Sequence, residues 1–276
     1  MTQHPPVFPF NILPMLNETA HTSEKKELKS VTNLRFEHFN TGHPGDKVDL
    51  GAASFIFWKS IWQDTFDELG VTKQVWSDDF LHRELVGFFD NNRPVGLVLF
   101  RYLDLNRPSH RSVSYFQNHP KDVLDKSFSP CDLTQVSSHI TIDKKWTKSQ
   151  TDYPLSELLI SFCLLDFLQN RKAKRMLAYL RNNRGIQNIF YRHGAEALAR
   201  NVHAYNVDVD FVQITRAKAH LSTLSGCDQL ALYFWNQKLN DRKGAVHDDQ
   251  SRSNTNFHSA TGKPHSQNEL GESSFI

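Results

Sequence analysis

The sequence predicts an α/β (α+β) chain in which a mixed sheet carries helices on its faces. Three observations predict it. Two β-rich runs, Glu84-Leu-Val-Gly-Phe-Phe89 and Pro94 to Leu103, flank the turn Asp90-Asn-Asn-Arg93, an antiparallel hairpin. The alternating run Thr134 to Ile142 leads through a polar turn into an apolar helix from Pro154 to Gln169. Beyond it, strand, helix and strand patterns follow at Arg175–Leu180, Asn183–Gly194 and Val207–Ile214.

In chain order, Ser54 to Leu69 comes first. Phe55, Trp58, Ile61, Trp62, Phe66 and Leu69 recur at three- and four-residue steps, the period of an amphipathic helix that Gly70 ends. Ser77-Asp-Asp-Phe80 reads as the N-cap of a short second helix. After the hairpin, residues 104–132 are punctuated by Pro108, Pro120 and Pro130, with a helical turn expected at Lys121–Asp125. Along Thr134–Ile142, Val136, Ser138, Ile140 and Ile142 are expected on one face, and Gln135, Ser137, His139 and Thr141 on the other. Thr151 or Asp152 can cap the next helix, with Pro154 in its first turn. That helix is apolar nearly all round and must be buried on most sides. Asn183 reads as an N-cap, and Ser225–Leu239 as a terminal helix.

The ends differ in composition. Residues 1–50 carry four prolines before a charged run from Glu24 to Lys29, and are expected to be largely disordered. Residues 241–276 are expected to form a disordered tail, which leaves 51–240 as the folded domain.

A net charge of +2 argues against electrostatic capture of nucleic acid or a membrane surface. Cys131, Cys163 and Cys227 have neither CxxC spacing nor even number, which argues against a disulfide framework and structural zinc. The fourteen histidines form no HxxxH or HExxH, so no metal site is expected. No apolar run reaches the ~18 residues of a membrane span, and no basic-then-apolar leader is visible, so cytoplasmic residence is expected.

From Leu97 to Arg184 there is no glycine. A strand-to-helix turn lies inside that span, where many α/β proteins place glycines to bring backbone N–H groups to a phosphate. A turn without them either builds an anion site from lysines and hydroxyls or has none.

Read with its residues, this order resembles the GNAT superfamily of acyltransferases over about residues 50–215. The hairpin with Arg93-Pro94-Val95-Gly96 looks like the family's second and third strands. The strand ending at Ile142 and the helix with Leu158-Leu159 look like its acyl-CoA-binding core. Asn183, Phe190 and Gly194-Ala195 follow its Asn…Tyr…Gly-Phe pattern. The resemblance implies a mostly antiparallel sheet whose central parallel pair parts at the Ile142 end. It also implies transfer of an acyl group from a thioester, acetyl-CoA, a longer acyl-CoA or an acyl carrier protein, to a small-molecule or protein amine.

The departures from the family are specific. Lys148-Ser-Gln-Thr-Asp-Tyr-Pro-Leu-Ser156 stands where the family has a glycine-rich pyrophosphate loop, and Pro154 removes one donor. Phe190 takes the tyrosine position, with Tyr191 about a hundred degrees round the helix, and Ala195 replaces a phenylalanine. On this reading His139 is the candidate base, and Tyr191 the candidate proton donor to the leaving thiolate. Ile140, Ile142, Lys148, Ser149, Thr151, Ser156 and Asn183 are the candidate donor-binding residues. Each has a plainer reading: His139 as a satisfied sheet histidine, Tyr191 as a packing phenol, Asn183 as a cap, and Asp143 as a turn residue. The rival function is a catalytically silent binding module of the same fold.

Overall fold

The computed structural model describes residues 29–238, apart from 73, 76, 118 and 129–132. The strands are β1 (Arg35–Asn40), β2 (Glu84–Asp90), β3 (Arg93–Asp104), β4 (Leu133–Ile142), β5 (Arg175–Arg181), β6 (Glu196–Ala204) and β7 (Val207–Thr215). The helices are α1 (Val48–Glu68), α2 (Pro108–Arg111), α3 (Lys121–Ser127), α4 (Leu155–Gln169) and α5 (Ile186–Arg192), followed by α6 at residues 226–238. The strands form one seven-stranded sheet in the order β1-β2-β3-β4-β5-β7-β6. Every pairing is antiparallel except β4 with β5. This is the mixed sheet that the sequence predicts, mostly antiparallel and with the central parallel pair that the resemblance implies.

Alternation along the strands divides the core in two. Val86, Phe88, Val98, Phe100, Met176, Ala178, Val212 and Ile214 face α4, whose Leu158, Leu159, Phe162 and Phe167 are buried among them. Phe162 stacks on Phe36 of β1 at 4.2 Å between ring centroids. A fully buried ring of this kind contributes roughly 1.5–3 kcal/mol over an exposed one. Phe234 and Trp235 of α6 cover the same layer, which is why α4 is apolar nearly all round. Gly96 lets α4 approach β3: a Cβ there would lie 3.3 Å from Leu155 Cδ1. On the opposite face, Leu85, Phe89, Leu97 and Leu99 pack against Trp58 and Phe66 of α1.

Several expectations need correction. Residues 29–50, grouped with the N-terminal tail by composition, contain β1 and the first turn of α1. Phe36 and Phe39 bury one edge of the sheet, and Glu37 accepts from Lys47 and from Lys238 Nζ (2.9 Å) of α6. α1 begins six residues earlier than its aromatic period suggests, because Leu50 and Gly51 extend the buried side. The helix expected at Ser77 is a single 3-10 turn, Ser77–Asp79. β6 escaped the sequence reading, since its burial does not alternate along an outer strand. The remaining expectations for the tails and for Cys131 concern residues outside the described set.

Candidate functional site

The parallel ladder between β4 and β5 runs only from Thr134↔Arg175 to Ser137↔Ala178. Beyond it the two strands no longer pair, although β4 continues to Ile142 and β5 to Arg181. The strands therefore part at the Ile142 end, as the resemblance implies. Such a parting leaves strand edges able to hydrogen-bond an extended ligand.

At the same point β4 carries a bulge. Leu97 pairs with Thr141 and Leu99 with Ser138, so two steps on β3 face three on β4. His139 takes φ 55°, the left-handed region that disfavours residues with a Cβ. The extra residue flips the phase of the strand. Gln135 bonds the Cys163 carbonyl on the α4 face, and Val136 packs on the opposite one. After the bulge, Ile140 and Ile142 pack on the α4 side, while His139 and Thr141 face α1. The expected single face of Val136, Ser138, Ile140 and Ile142 is thus broken in the middle. His139 does lie opposite Ile140 and Ile142.

His139 stands edge-on to two indoles of α1, Trp62 at 4.8 Å and Trp58 at 5.4 Å between ring centroids. Trp62 Nε1 donates to Thr141 Oγ1 (2.9 Å), and that hydroxyl donates to the His139 carbonyl (3.2 Å), which braces the bulge. Ser138 and His139 open into a cavity of about 110 Å³, shared with Trp62, Tyr115, Tyr179 and Arg83. Against the ~10–15 Å³ that one water needs by this measure, it holds several waters or one small molecule. Tyr179 is the first β5 residue beyond the paired stretch. Burial, then the neighbouring Tyr205, pushes its phenol well above the usual range, so it stays a proton donor. Behind it His119 stacks at 5.2 Å, its imidazole pulled down to about 3 by burial and therefore neutral.

The polar turn is largely committed to the fold. Asp143 Oδ1 accepts from Lys145 N–H (2.8 Å) and Oδ2 from Arg93 Nη2 (2.8 Å), the behaviour of a turn residue. Thr151 is buried and donates to the Thr147 carbonyl (3.3 Å). Asp152 accepts from Ser30 Oγ and Val31 N–H, tying residues 29–32 across the turn. Thr151 and Asp152 cap nothing: the N-cap position of α4 is Pro154, with no side-chain cap bond. Glu157, in the first turn, pairs with Arg192 at 3.2 Å and already places a carboxylate where the helix dipole favours an anion. Lys148 and Ser149 are exposed and Ser156 is half-buried.

The structure does not bring Tyr191 to the cavity that His139 lines. The Tyr191 hydroxyl donates to Asp210 Oδ2 (2.6 Å), and Asp210 also accepts from Asn182 Nδ2 and Asn201 N–H (3.0 Å each). Burial, then this bond, pushes the Tyr191 phenol up to about 12. For Asp210 burial works upward, but the Tyr191, Asn201 and Asn182 donors outweigh it and hold the carboxyl below its ordinary value. Tyr191 thus pins α5 to β7. Tyr191→Phe is expected to cost about 1 kcal/mol in thermal or denaturant unfolding and to leave any turnover within about twofold. Asn183 is exposed and does not cap α5; Gly185 holds that position with φ 70°.

Tyr179, Tyr115, Ser138 and Arg83 were missed in the sequence. The alternation Arg175, Leu177, Tyr179 could have placed Tyr179 on the His139 side. Arg83 lies in a link with no periodicity.

No protein-family model matches the chain, and no curated protein matches it. Among solved structures it is similar to the CoA-dependent acyl-homoserine lactone synthase BjaI with SAM and isopentyl-CoA: 13% identity, 72% of this chain and 87% of that one, TM-score 0.46. It is similar to FeeM, an N-acyl amino acid synthase from uncultured soil microbes: 10% identity, 67% and 93%, TM-score 0.43. It is also similar to Arabidopsis thaliana NAA60 in complex with acetyl-CoA: 11% identity, 65% and 96%, TM-score 0.42. The strand order with its one parting parallel pair makes the fold GNAT-like.

Proposed function

We propose that this chain is an acyltransferase that moves an acyl group from a thioester, on coenzyme A or an acyl carrier protein, to a small-molecule amine. The observation that supports it most is the β4 bulge, which turns His139 into an aromatic-walled cavity at the point where β4 and β5 part. On this reading the amine sits in the cavity and the acyl arm reaches it from between the strands. His139 takes the ammonium proton; the amine nitrogen attacks the thioester carbonyl; the C–N bond forms and the C–S bond breaks. The departing thiolate needs one proton. Tyr179, a neutral phenol in the same cavity, is better placed to give it than Tyr191.

Ile140 and Ile142 would flank the acyl arm, and Lys148, Ser149 and Ser156 would meet the donor's phosphates. Thr151, whose hydroxyl is already used, and Asn183, outside the α5 cap, have weaker claims. Lys148→Ala is then expected to raise KM for a CoA thioester by roughly 2- to 5-fold, the modest effect of an exposed charge, with kcat unchanged.

The internal bonding of the turn favours a second reading, a silent binding module. Thiol release from acetyl-CoA, long-chain acyl-CoA and acyl carrier protein, each with and without a panel of amines, separates the two. Amine-dependent release supports the enzyme; none with any pair, from folded protein, supports the module.

A further inference from the structure

The wall of the His139 cavity has too many positive donors for its acceptors. Arg83, in the link before β2, is 1% exposed and lines the cavity, yet its Nε and Nη1 have no hydrogen-bond partner among the described residues. Its one ion contact among the described residues is Asp79, at 3.9 Å, too long for a charge-assisted hydrogen bond. Asp79 itself accepts from Ser114 Oγ (2.9 Å). Arg101 of β3 lies close enough to repel Arg83, and its Nε and Nη2 are likewise buried without partners. Arg181 of β5 lines the same cavity with an unpartnered Nε. Tyr115 and Tyr179 add two unpartnered phenol hydroxyls.

Buried charges are ordinarily paired, because an unpaired one carries its whole desolvation cost. Here Arg83 and Arg101 share one carboxylate, Asp79, while Arg181 lies between the like charge of Arg184 and the opposite charge of Glu68. The cost shows on Arg83, which burial and then Arg101 pull down to about 9. Adding an anion would relieve each of these groups together. A planar carboxylate suits the guanidinium fork, and the phenols can donate to its remaining lone pairs. Most of the rest of the wall is apolar or aromatic, with Trp62, Phe66, Leu69, Tyr205, Val207 and Val209, which favours an apolar remainder over a polyanion.

We infer that the cavity selects an acceptor that carries a carboxylate beside its amine, an amino acid or close analogue, with the carboxylate held by Arg83 and Arg181 and the amine turned to His139. This rests on the acyltransferase reading for the role of the amine, and on the arginine wall alone for the carboxylate. It makes Arg83 and Arg181 specificity-determining residues that do not take part in bond making.

The test is equilibrium binding of the twenty amino acids, their amides and their decarboxylated amines to the full chain without thioester, followed by acylation assays with the same panel. At least one amino acid is expected to bind roughly 10- to 100-fold tighter than its amide, the value of charged hydrogen bonds in a buried site. Arg181→Gln, at a half-buried position, is expected to erase most of that preference. Arg83→Gln should do the same if it folds, and Arg83→Lys should restore it in part. Amides that bind and react as well as the acids, or a preference untouched in Arg181→Gln and the folded Arg83 variants, would overturn the inference and leave the acyltransferase reading standing. Carboxylate-selective binding with no acyl product from any thioester would do the reverse. Absence of binding by every amino acid also overturns it.

Discussion

Replacing His139 by alanine is expected to lower kcat for acyl transfer by roughly 10²- to 10⁴-fold, the range for loss of a positioned general base. The chain should remain folded, because the side chain lines a cavity and its ring stands edge-on to Trp58 and Trp62. His139→Gly sharpens the experiment. At φ 55° a residue with a Cβ is strained, so glycine should be more stable than alanine by about 1 kcal/mol. If His139 only shapes the bulge, glycine preserves the shape and turnover survives. If it moves a proton, glycine and alanine are equally inactive, and exogenous imidazole restores part of the rate to both. Turnover in the glycine variant close to wild type would remove His139 from the chemistry.

The second large effect is structural. Gly194→Ala is expected to destabilise the fold by more than about 3 kcal/mol, in the class of strain and backbone clash that gives the largest single-site losses. Gly194 has φ 91°, and a Cβ there would lie 2.1 Å from the Lys218 carbonyl oxygen, a backbone atom that cannot swing away. At roughly 2–4 °C per kcal/mol for a chain of this size, the unfolding midpoint should fall by at least about 6 °C. A loss below 1 kcal/mol would mean that the loop carrying Lys218 does not pack on the end of α5 in solution.

Much of this architecture was legible because it depends on short-range pattern. The hairpin followed from two alternating runs about Asp90-Asn-Asn-Arg93, and Asn91 does take φ 56° in the turn. The α4 helix followed from its unbroken apolar surface, and Gly194 from its place after the last periodic residue. β1 was hidden because composition judged a fifty-residue window, whereas six residues with Phe36 and Phe39 suffice to close a sheet edge. Asn183 failed as a cap because Gly185 opens α5 two residues later.

The candidate site was half legible. His139 stood out as a titratable residue on the strand before the polar turn, and it does line the cavity. Its neighbours did not. The bulge that puts Ser138 and His139 in one cavity breaks the two-residue alternation on which the face assignment rested. Arg83, Tyr115, Tyr179 and Arg181 reach the cavity from a link, an irregular connection and β5, so only the folded sheet brings them together. Tyr191 shows the converse: spacing made it a candidate, and its hydroxyl donates to Asp210, away from that cavity.

The central claim is that His139 sits where an amine meets a thioester. It is tested most directly by thiol release from acyl-CoA and acyl carrier protein donors, measured with and without amino-acid acceptors in wild type and His139→Gly. Release that requires the amine in wild type and disappears in the glycine variant is the predicted result. Folded wild-type protein that releases no thiol with any donor and acceptor, or a glycine variant that releases it as fast, would contradict the account.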